Sequence, residues 1–463
     1  MTMRVGPTYV IRMALPLILV FASSLLAATP PVPHPDKLVK PNIVFIVADD
    51  LGWGDVSWHG SGIKTPNLDR LGHDGVLLEQ NYVAPVCTPT RAQFMSGRYA
   101  SRFGITVPQD EQAFPFGTVT LAEALKESGY DTALIGKWHL GGKPEVGPRK
   151  FGFDYSYGTL HGACGPYNHL YHDAKITWHR NDAYIKEEGH ATDLITNEAV
   201  KWIETRSDKP FFLYLPYTAP HVPLDEPEKW LNLYADRPNP GDRIYPACVS
   251  HMDDGIGQVV GALDRTGKRA NTLIIFTSDN GAWRGAKNPK PYPPGLAAGI
   301  NTPLRGKKGD VYEGGIRVPA LANWPGHLLP GKFDWPIHAV DWLPTFADLA
   351  GYHSPTDLKW DGKDMWPQIV GIETPAPRRI LYWAGPFYNS AAVRDGDWKL
   401  VVFRNVKPRT ELFNLSSDPY EKTNLARQHP DVVADLQQSL TTLSARDNDS
   451  AVTPPKRKLP KDD

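Results

Sequence analysis

Four short runs of consecutive apolar residues occur in the first two thirds of the chain. They are rich in β-branched and aromatic side chains and cover residues 42–48, 131–138, 211–217 and 272–277. Unbroken apolar runs of this length are typical of strands that are buried on both faces of a sheet. Helix-like stretches precede the last three runs, at residues 121–128, 192–205 and 249–263. Strands that alternate with helices predict an α/β fold with a large, mainly parallel sheet flanked by helices.

The pattern changes near residue 375. Strand-like segments separated by turn residues follow at 380–383, 391–394, 398–403 and 411–415, and a helical pattern covers 432–444. We therefore expect a small C-terminal antiparallel sheet with one helix at residues 375–446, packed on a main domain at 29–374. The charged, proline-containing tail at 447–463 is typical of disorder.

The first 28 residues have the pattern of an export signal. Arg4 and Arg12 are their only charged residues, and an apolar run at 13–26 ends at Ala27-Ala28. The run is short for a bilayer span and is followed by a polar, proline-rich segment. We expect a cleaved signal peptide, a periplasmic or secreted mature protein, and no stable membrane insertion after cleavage. An uncleaved membrane anchor is the alternative.

The net charge argues against one class of function, and the cysteine count limits how the thiols can pair. Fifty basic residues against fifty-one acidic residues give a formal net charge of −1, so the chain lacks the basic excess expected of a nucleic-acid-binding protein. The three cysteines are Cys87, Cys164 and Cys248. An odd number leaves at least one thiol without an internal partner. Cys164 and Cys248 could pair with each other or stay free as buried thiols.

Polar side chains follow the first and fourth apolar runs directly. Asp49 and Asp50 end the first run, and Asp279 and Asn280 follow the fourth. Ligands of parallel α/β sheets gather at the carboxyl ends of the strands. Three carboxylates and an amide oxygen brought together there suit a hard divalent cation such as Ca²⁺ or Mg²⁺. Either pair alone could be an ordinary turn, and two pairs at equivalent strand ends favour the metal site.

Basic residues follow the other predicted strands. Lys137 and His139 lie two residues apart at the end of the second strand, so both side chains point to the same face. His221 follows the third strand. These positions favour a role in chemistry, whereas the basic loop at residues 305–308 could equally be a solvated surface.

A short helix is predicted after residue 86. Pro89 suits its first turn and Gly97 its C-terminal end. Cys87 then lies at the helix N-terminus, where backbone N–H groups and the helix dipole favour negative charge. Arg91, four residues later, reaches the same face. Cys87 could be a buried structural cysteine or a thiolate nucleophile.

The segment C-T-P-T-R at residues 87–91 resembles the C-x-P-x-R signature of type I sulfatases, in which the cysteine is converted to formylglycine. The resemblance extends over nearly the whole chain after the predicted signal. Its other segments are residues 41–55, 82–98, 136–141, 219–223, 277–281, 303–319 and 341–345, together with the C-terminal region. P-L-R-G-K-K and D-W-L-P-T look most like the arylsulfatase B (N-acetylgalactosamine-4-sulfatase) branch. The resemblance implies an alkaline-phosphatase-like sulfatase fold.

The resemblance also implies one bound Ca²⁺ and a nucleophile made from Cys87 as hydrated formylglycine. The implied metal ligands are Asp49, Asp50, Asp279, Asn280 and an oxygen of the modified Cys87. Arg91 would orient this hydrate, while Lys137 and Lys308 would hold the sulfate oxygens, with His139 and His221 beside them. Lys308 is preferred to Lys307 because the second lysine of the pair aligns with the family's lysine.

The family mechanism implies distinct proton transfers. Asp279 would deprotonate the attacking hydroxyl, and His221, alone or with Lys308, would protonate the departing alcohol. His139 would then take a proton from the second hydroxyl of the hydrate. The substrate implied is a sulfated saccharide or an aryl sulfate, and a formylglycine-generating enzyme is the implied maturation partner.

Further substrate contacts are expected from Trp283, Arg284 and the loop at residues 161–172, which follow or border the expected pocket. Two other functions fit the same residues. A phosphate or phosphonate monoester hydrolase of the same superfold usually needs more positive charge, often two metal ions, and the sequence shows ligands for one. A non-catalytic glycan-binding relative would keep the fold without turnover.

Overall fold

The computed structural model describes residues 1–4, 6, 40–172, 174–371, 378–405 and 407–452. The chain divides into two units, Met1–Lys37 and Leu38–Asp463, and the second contains every element named below. The apolar run of the predicted signal peptide lies outside the described residues. Among the helices that are described, none has the length and apolar character needed to cross a membrane.

The strands are β1 (Asn42–Ala48), β2 (Val76–Leu78), β3 (Asn81–Tyr82), β4 (Asp131–Lys137), β5 (Tyr155–Thr159), β6 (Leu170–Tyr171), β7 (Lys175–Ile176), β8 (Trp178–Arg180), β9 (Ala183–Tyr184), β10 (Phe211–Pro216), β11 (Thr272–Ser278), β12 (Ala320–Asn323), β13 (Gly331–Phe333), β14 (Ile337–His338), β15 (Ile380–Ala384), β16 (Ser390–Asp395), β17 (Trp398–Phe403) and β18 (Arg409–Asn414). The helices are α1 (Pro66–His73), α2 (Cys87–Ser96), α3 (Leu121–Glu127), α4 (Ala191–Glu204), α5 (Glu228–Leu231), α6 (Ile244–Arg265), α7 (Glu313–Ile316), α8 (Trp342–Leu349), α9 (Trp366–Ile369) and α10 (Pro430–Ser444).

The central sheet has ten strands in the order β13-β2-β12-β11-β1-β10-β4-β5-β8-β9. Its middle strands β11, β1, β10 and β4, which the four apolar runs form, are parallel as predicted, and β5 adds a fifth parallel strand that was not predicted from the sequence. Both margins contain antiparallel pairs, so the sheet is mixed. Those marginal strands have two to four residues, too few to produce a long apolar run in the sequence.

Successive side chains of β1 point to opposite sides of the sheet, so both of its faces are apolar. Helices cover both faces and bury these side chains. Phe45 and Val47 pack in the apolar cluster that includes α2, α3 and α8. Val44 and Ile46 pack in the cluster that includes α1, α4 and α6. Every residue of β1 is buried. The predicted α/β fold with flanking helices is therefore confirmed.

The register of the two central strands places the polar strand ends side by side. β1 and β11 pair in parallel from Asn42 opposite Thr272 to Ala48 opposite Ser278. The chain therefore leaves both strands at the same level of the sheet edge. This alignment explains why residues 230 positions apart can share one site.

The C-terminal strands form the predicted small antiparallel sheet, in the order β15-β16-β17-β18. Leu436 and Leu440 of α10 pack on this C-terminal sheet beside Tyr382. The predicted tail at 447–463 begins inside the packed structure: Asp447 pairs with Arg102 at 2.9 Å, and Asp449 pairs with Arg98 at 2.8 Å. Two of the charges that suggested disorder, those of Asp447 and Asp449, are therefore used in ion pairs. Residues 453–463 lie outside the described part.

A buried ion cluster joins the C-terminal sheet to α7 of the main domain. Lys399 of β17 lies 2.8 Å from both Glu313 and Glu421, and all three side chains are inaccessible to solvent. Glu421 also accepts the backbone N–H of Glu313 at 2.7 Å, and its carbonyl accepts from Arg305 at 2.9 Å. Glu313 begins α7, so the C-terminal sheet holds the chain segment at residues 305–313 in place.

Replacing Lys399 by methionine is expected to lower the free energy of unfolding by about 3–5 kcal/mol, because two buried carboxylates lose their ammonium partner. Lys126→Met is the matched control. Lys126 pairs with Asp154 at 2.6 Å with half of its side chain exposed, so its loss should cost less than about 1 kcal/mol. Urea denaturation of both variants measures the difference, and equal costs would contradict a buried role for Lys399.

Candidate active site

The ends of β1 and β11 bring together four of the predicted residues. Asp50 has a left-handed backbone (φ 69°), which short polar side chains tolerate better than others. Its backbone N–H donates to Asp279 Oδ1 at 3.2 Å, and its Oδ1 accepts from Asn280 Nδ2 at 2.7 Å. Asp49, Asp50, Asp279 and Asn280 are all buried. The polar strand ends thus meet in one cluster, as expected.

Two oxygen atoms of this cluster, Asp49 Oδ1 and Asn280 Oδ1, are buried and have no hydrogen-bond partner among the described residues. The donor atoms of Asp49, Asp279 and Cys87 lie within 4.8 Å of one another. Burial raises the pKa of Asp49 above its usual range, and nearby Asp279 adds to this effect although Lys137 opposes it. A divalent cation would satisfy both oxygens and restore the carboxylate charge, so the donor set fits a hard metal ion.

Each carboxylate of the cluster has a basic partner from a different segment. Arg91 donates to Asp279 Oδ2 through Nη2 at 2.7 Å and Nε at 3.0 Å. Lys137 Nζ donates to Asp49 Oδ2 at 2.6 Å, and Lys308 Nζ lies 2.7 Å from Asp50 Oδ1. These cations neutralise the carboxylates, and all three also act electrostatically on Cys87. The space around Cys87 that they border, called the pocket below, can therefore receive an anion.

Cys87 is the first residue of α2, at the N-terminal end predicted for it. Gly97 ends the helix with a left-handed backbone (φ 65°), also as predicted. Burial raises the pKa of the Cys87 thiol, although Lys137 and Lys308 act to lower it. The unmodified thiol is therefore neutral, which disfavours a plain thiolate nucleophile.

Two histidines border the pocket. Nε2 of His139 lies 3.1 Å from Thr88 Oγ1, and its Nδ1 is buried with no partner in the part of the chain that the structure describes. Burial, with Lys137 and Arg91, holds the pKa of His139 well below 6.5. His221 Nε2 lies 3.7 Å from Asp50 Oδ2, and burial with Lys308 lowers the pKa of His221 to about 3. Both imidazoles are neutral in the free site.

The pocket opening contains further predicted residues. Lys308 Nζ lies 5.4 Å from the ring centroid of Trp283, and 42% of Trp283 is exposed. Arg284 is exposed beside it. Lys307 is also exposed, whereas only 10% of the Lys308 side chain is accessible. The structure therefore distinguishes the two adjacent lysines, with Lys308 in the pocket.

Two residues at the pocket were not predicted. Thr88 touches His139, and Asp110 Oδ1 lies 3.9 Å from His139 Nε2. Thr88 occupies a variable position of the signature, and Asp110 lies in an irregular loop, so neither position has a strand-end or motif signal. The other two cysteines, Cys164 and Cys248, are buried free thiols.

Comparison with known proteins identifies this arrangement. Residues 41–352 match the Sulfatase family model, and residues 307–446 match the model described as N-sulphoglucosamine sulphohydrolase, C-terminal. Arylsulfatase J of Mus musculus is 34% identical, over 91% of this chain and 78% of that protein. N-acetylgalactosamine-6-sulfatase of Mus musculus is 34% identical, over 80% of this chain and 72% of that protein.

Solved structures agree with these matches. The crystal structure of Ps i-CgsB in complex with k-i-k-neocarrahexaose has a TM-score of 0.80 and 32% identity, covering 89% of this chain and 95% of that chain. PsFucS1 sulfatase from Pseudoalteromonas sp. has a TM-score of 0.76 and 25% identity, covering 90% and 92%. The type I sulfatase resemblance is confirmed, while the arylsulfatase B branch stays a prediction. The chain belongs to the sulfatase family and is a sulfuric ester hydrolase.

Proposed function

We propose that this protein is an exported sulfatase that removes sulfate from a carbohydrate, using Cys87 matured to formylglycine and one Ca²⁺ ion. The observation that carries the proposal is the pair of buried, unpartnered oxygens of Asp49 and Asn280 beside Cys87 at the N-terminus of α2. Relatives whose names specify sulfated sugars, such as N-acetylgalactosamine-6-sulfatase, support the carbohydrate substrate. Aryl sulfates are a second class of substrate for the same site.

The proposed metal ligands are Asp49, Asp50, Asp279, Asn280 and an oxygen of the matured Cys87. The ion would supply positive charge for the sulfate oxygens. In hydrated form the matured residue would supply one hydroxyl as nucleophile and a second that permits release of sulfate. Arg91 orients this residue, because its guanidinium is fixed by Asp279 and by the Lys137 carbonyl at 2.9 Å.

The remaining side chains bind the sulfate and move protons. Lys137 and Lys308 hold the sulfate oxygens, and their positive charge stabilises the transition state. Asp279 accepts the proton of the attacking hydroxyl. His221 is neutral in the free site, and a bound sulfate ester raises its pKa, so His221, with Lys308, protonates the leaving oxygen. His139 takes a proton during release through Nδ1, the ring nitrogen without a partner.

Trp283 and Arg284 contact the sugar at the exposed mouth of the pocket. A signal peptide at residues 1–28 directs the chain to the periplasm or the medium, and the mature protein does not stay inserted in the membrane. A formylglycine-generating enzyme of the host matures Cys87. The main domain at 29–374 supplies the residues of the site, and the C-terminal domain at 375–446 supports the segment that carries Lys308.

The test of the function compares nitrophenyl sulfate, nitrophenyl phosphate and a panel of sulfated glycosaminoglycan and algal saccharides. Matured wild-type protein should prefer sulfate, and Cys87→Ala should lower turnover by at least about 10³-fold because the nucleophile is lost. Cys248→Ala, which removes a thiol of α6, is the control and should keep its activity. A phosphate preference, or normal activity of Cys87→Ala with wild-type folding, would refute the proposal.

Removal of the metal is expected to affect activity and stability together, because an ion bound only by the folded protein stabilises it, and its loss leaves the Asp49 and Asn280 oxygens buried without a described partner. Dialysis against a calcium chelator should abolish nitrophenyl sulfate turnover and lower the midpoint of thermal unfolding, and added Ca²⁺ should restore both. If the chelator-treated protein kept its activity and its unfolding midpoint, the cluster would not need a bound ion for turnover or stability.

The adjacent lysines provide a matched pair. Lys308→Ala removes an ammonium group from the pocket and is expected to reduce kcat/KM for nitrophenyl sulfate by about 10²-fold or more. Lys307→Ala removes the same group from an exposed side chain and should leave kcat/KM within a factor of two. A larger loss of kcat/KM in Lys307→Ala than in Lys308→Ala would refute the proposed sulfate contact of Lys308.

A further inference from the structure

Asp110 is a pocket residue without a function in the mechanism above. The loop that carries it is fixed at two points: the Gln109 N–H donates to Thr88 Oγ1 at 3.1 Å, and the Gly142 N–H donates to the Asp110 carbonyl at 2.7 Å. Thr88 follows Cys87 directly in α2. The Asp110 backbone is therefore held next to the nucleophile position.

The Asp110 carboxylate differs from the three carboxylates of the metal cluster. Asp49, Asp50 and Asp279 each have a lysine or arginine within 3 Å. Across the described ranges, Asp110 has no lysine or arginine within ion-pair distance, and the basic groups near it are two imidazoles, His139 with Nε2 at 3.9 Å and His161. Its Oδ1 is buried without a hydrogen-bond partner, while 29% of its side chain is exposed. A carboxylate that no described lysine or arginine neutralises thus borders a pocket for anions.

The rings of Tyr171 and His161 lie next to Asp110 and form one wall of the pocket with it. Tyr171 stacks on His161 with 4.6 Å between ring centroids. Burial raises the pKa of Tyr171 to about 12, and the charge of Asp110 and a hydrogen bond to it add to this effect. The Tyr171 hydroxyl therefore donates to this carboxylate, and the Asp110 oxygen without a described partner is Oδ1. A Cβ atom on Gly142 would lie 2.8 Å from His161 Nε2 and 3.2 Å from Asp110 Cβ, so this wall is tightly packed. Lys175 lies over the Tyr171 ring, its Nζ 5.9 Å from the centroid, rather than at Asp110.

We propose that Asp110 is a specificity-determining residue that accepts a hydrogen bond from a free sugar hydroxyl near the scissile sulfate and excludes a second anionic group there. This inference rests on the proposed function. A carboxylate accepts from a hydroxyl and repels a sulfate or carboxylate. Discrimination then comes from repulsion as well as attraction. The substrate class is a sugar with one sulfate and an unmodified hydroxyl beside it, rather than a densely sulfated sugar.

The experiment uses full-length, matured protein and defined saccharides. The monosulfated sugar that is cleaved best is compared with matched compounds that carry a second sulfate at each other hydroxyl in turn. Wild type should prefer the monosulfated sugar over at least one matched disulfate by about tenfold or more in kcat/KM. This preference should decrease at high salt, because salt screens charge repulsion at an exposed rim.

Asp110→Asn keeps the shape and removes the charge. We expect the preference to fall by about tenfold, with a higher KM for the monosulfated sugar and faster cleavage of the disulfate. Asp182→Asn is the matched control, because Asp182 lies in an exposed ion pair with Arg149. It should retain the wild-type preference. Thermal unfolding of both variants shows whether they are folded. If Asp110→Asn does not fold, the salt dependence of the wild-type preference still tests repulsion by the Asp110 carboxylate.

The outcomes separate this inference from the proposed function. Active wild type that shows no preference, or an Asp110→Asn variant that keeps the full preference, would overturn the role of Asp110 alone. Matured wild type that cleaves neither saccharides nor nitrophenyl sulfate would overturn the proposed function itself, and this inference with it.

Discussion

Three carboxylates buried at one edge of the sheet require compensation, and the rest of the site is arranged around that requirement. Burying an unpaired charge is costly, and removing one member of a buried pair costs several kcal/mol. Arg91, Lys137 and Lys308 supply the compensation from α2, from the end of β4 and from the loop before α7. Because Arg91 is tied to Asp279, the helix that carries Cys87 is held against the same edge.

In the proposed mechanism the same charges serve two purposes. In the free protein the cations stabilise the carboxylates. With an ion bound to the carboxylates, the cations would have excess positive charge for a sulfate ester. The low pKa values of His139 and His221 follow from this environment, since both rings are buried beside Lys137 or Lys308. The site is therefore organised by a balance of charge rather than by any single residue.

Much of this arrangement could be predicted from the sequence, because the signals are local. The apolar run of β1 matches residues 42–48, and the runs of β4, β10 and β11 lie within one residue of their predicted ends. Asp49, Asp50, Asp279 and Asn280 follow such runs directly, so the topology of a parallel sheet places them together. Pro89 and Gly97 likewise identify α2 from its own residues.

What could not be predicted depends on contacts between distant segments. Short marginal strands such as β8 and β9 form because they pair with the edge of a neighbouring strand. That pairing depends on distant segments, so the residues of β8 and β9 give no signal of it. Asp110 enters the pocket through its loop's hydrogen bonds to Thr88 and Gly142. The start of the tail is held by Arg98 and Arg102, which lie 345 to 351 positions earlier in the chain.

The ion cluster of Lys399, Glu313 and Glu421 has a consequence for the gene as well as for the protein. All side chains proposed to act on the sulfate group are encoded before the C-terminal sheet, yet the segment that carries Lys308 is anchored by Glu421. A late frameshift or premature stop codon would therefore leave every pocket residue encoded and still remove the support of one of them.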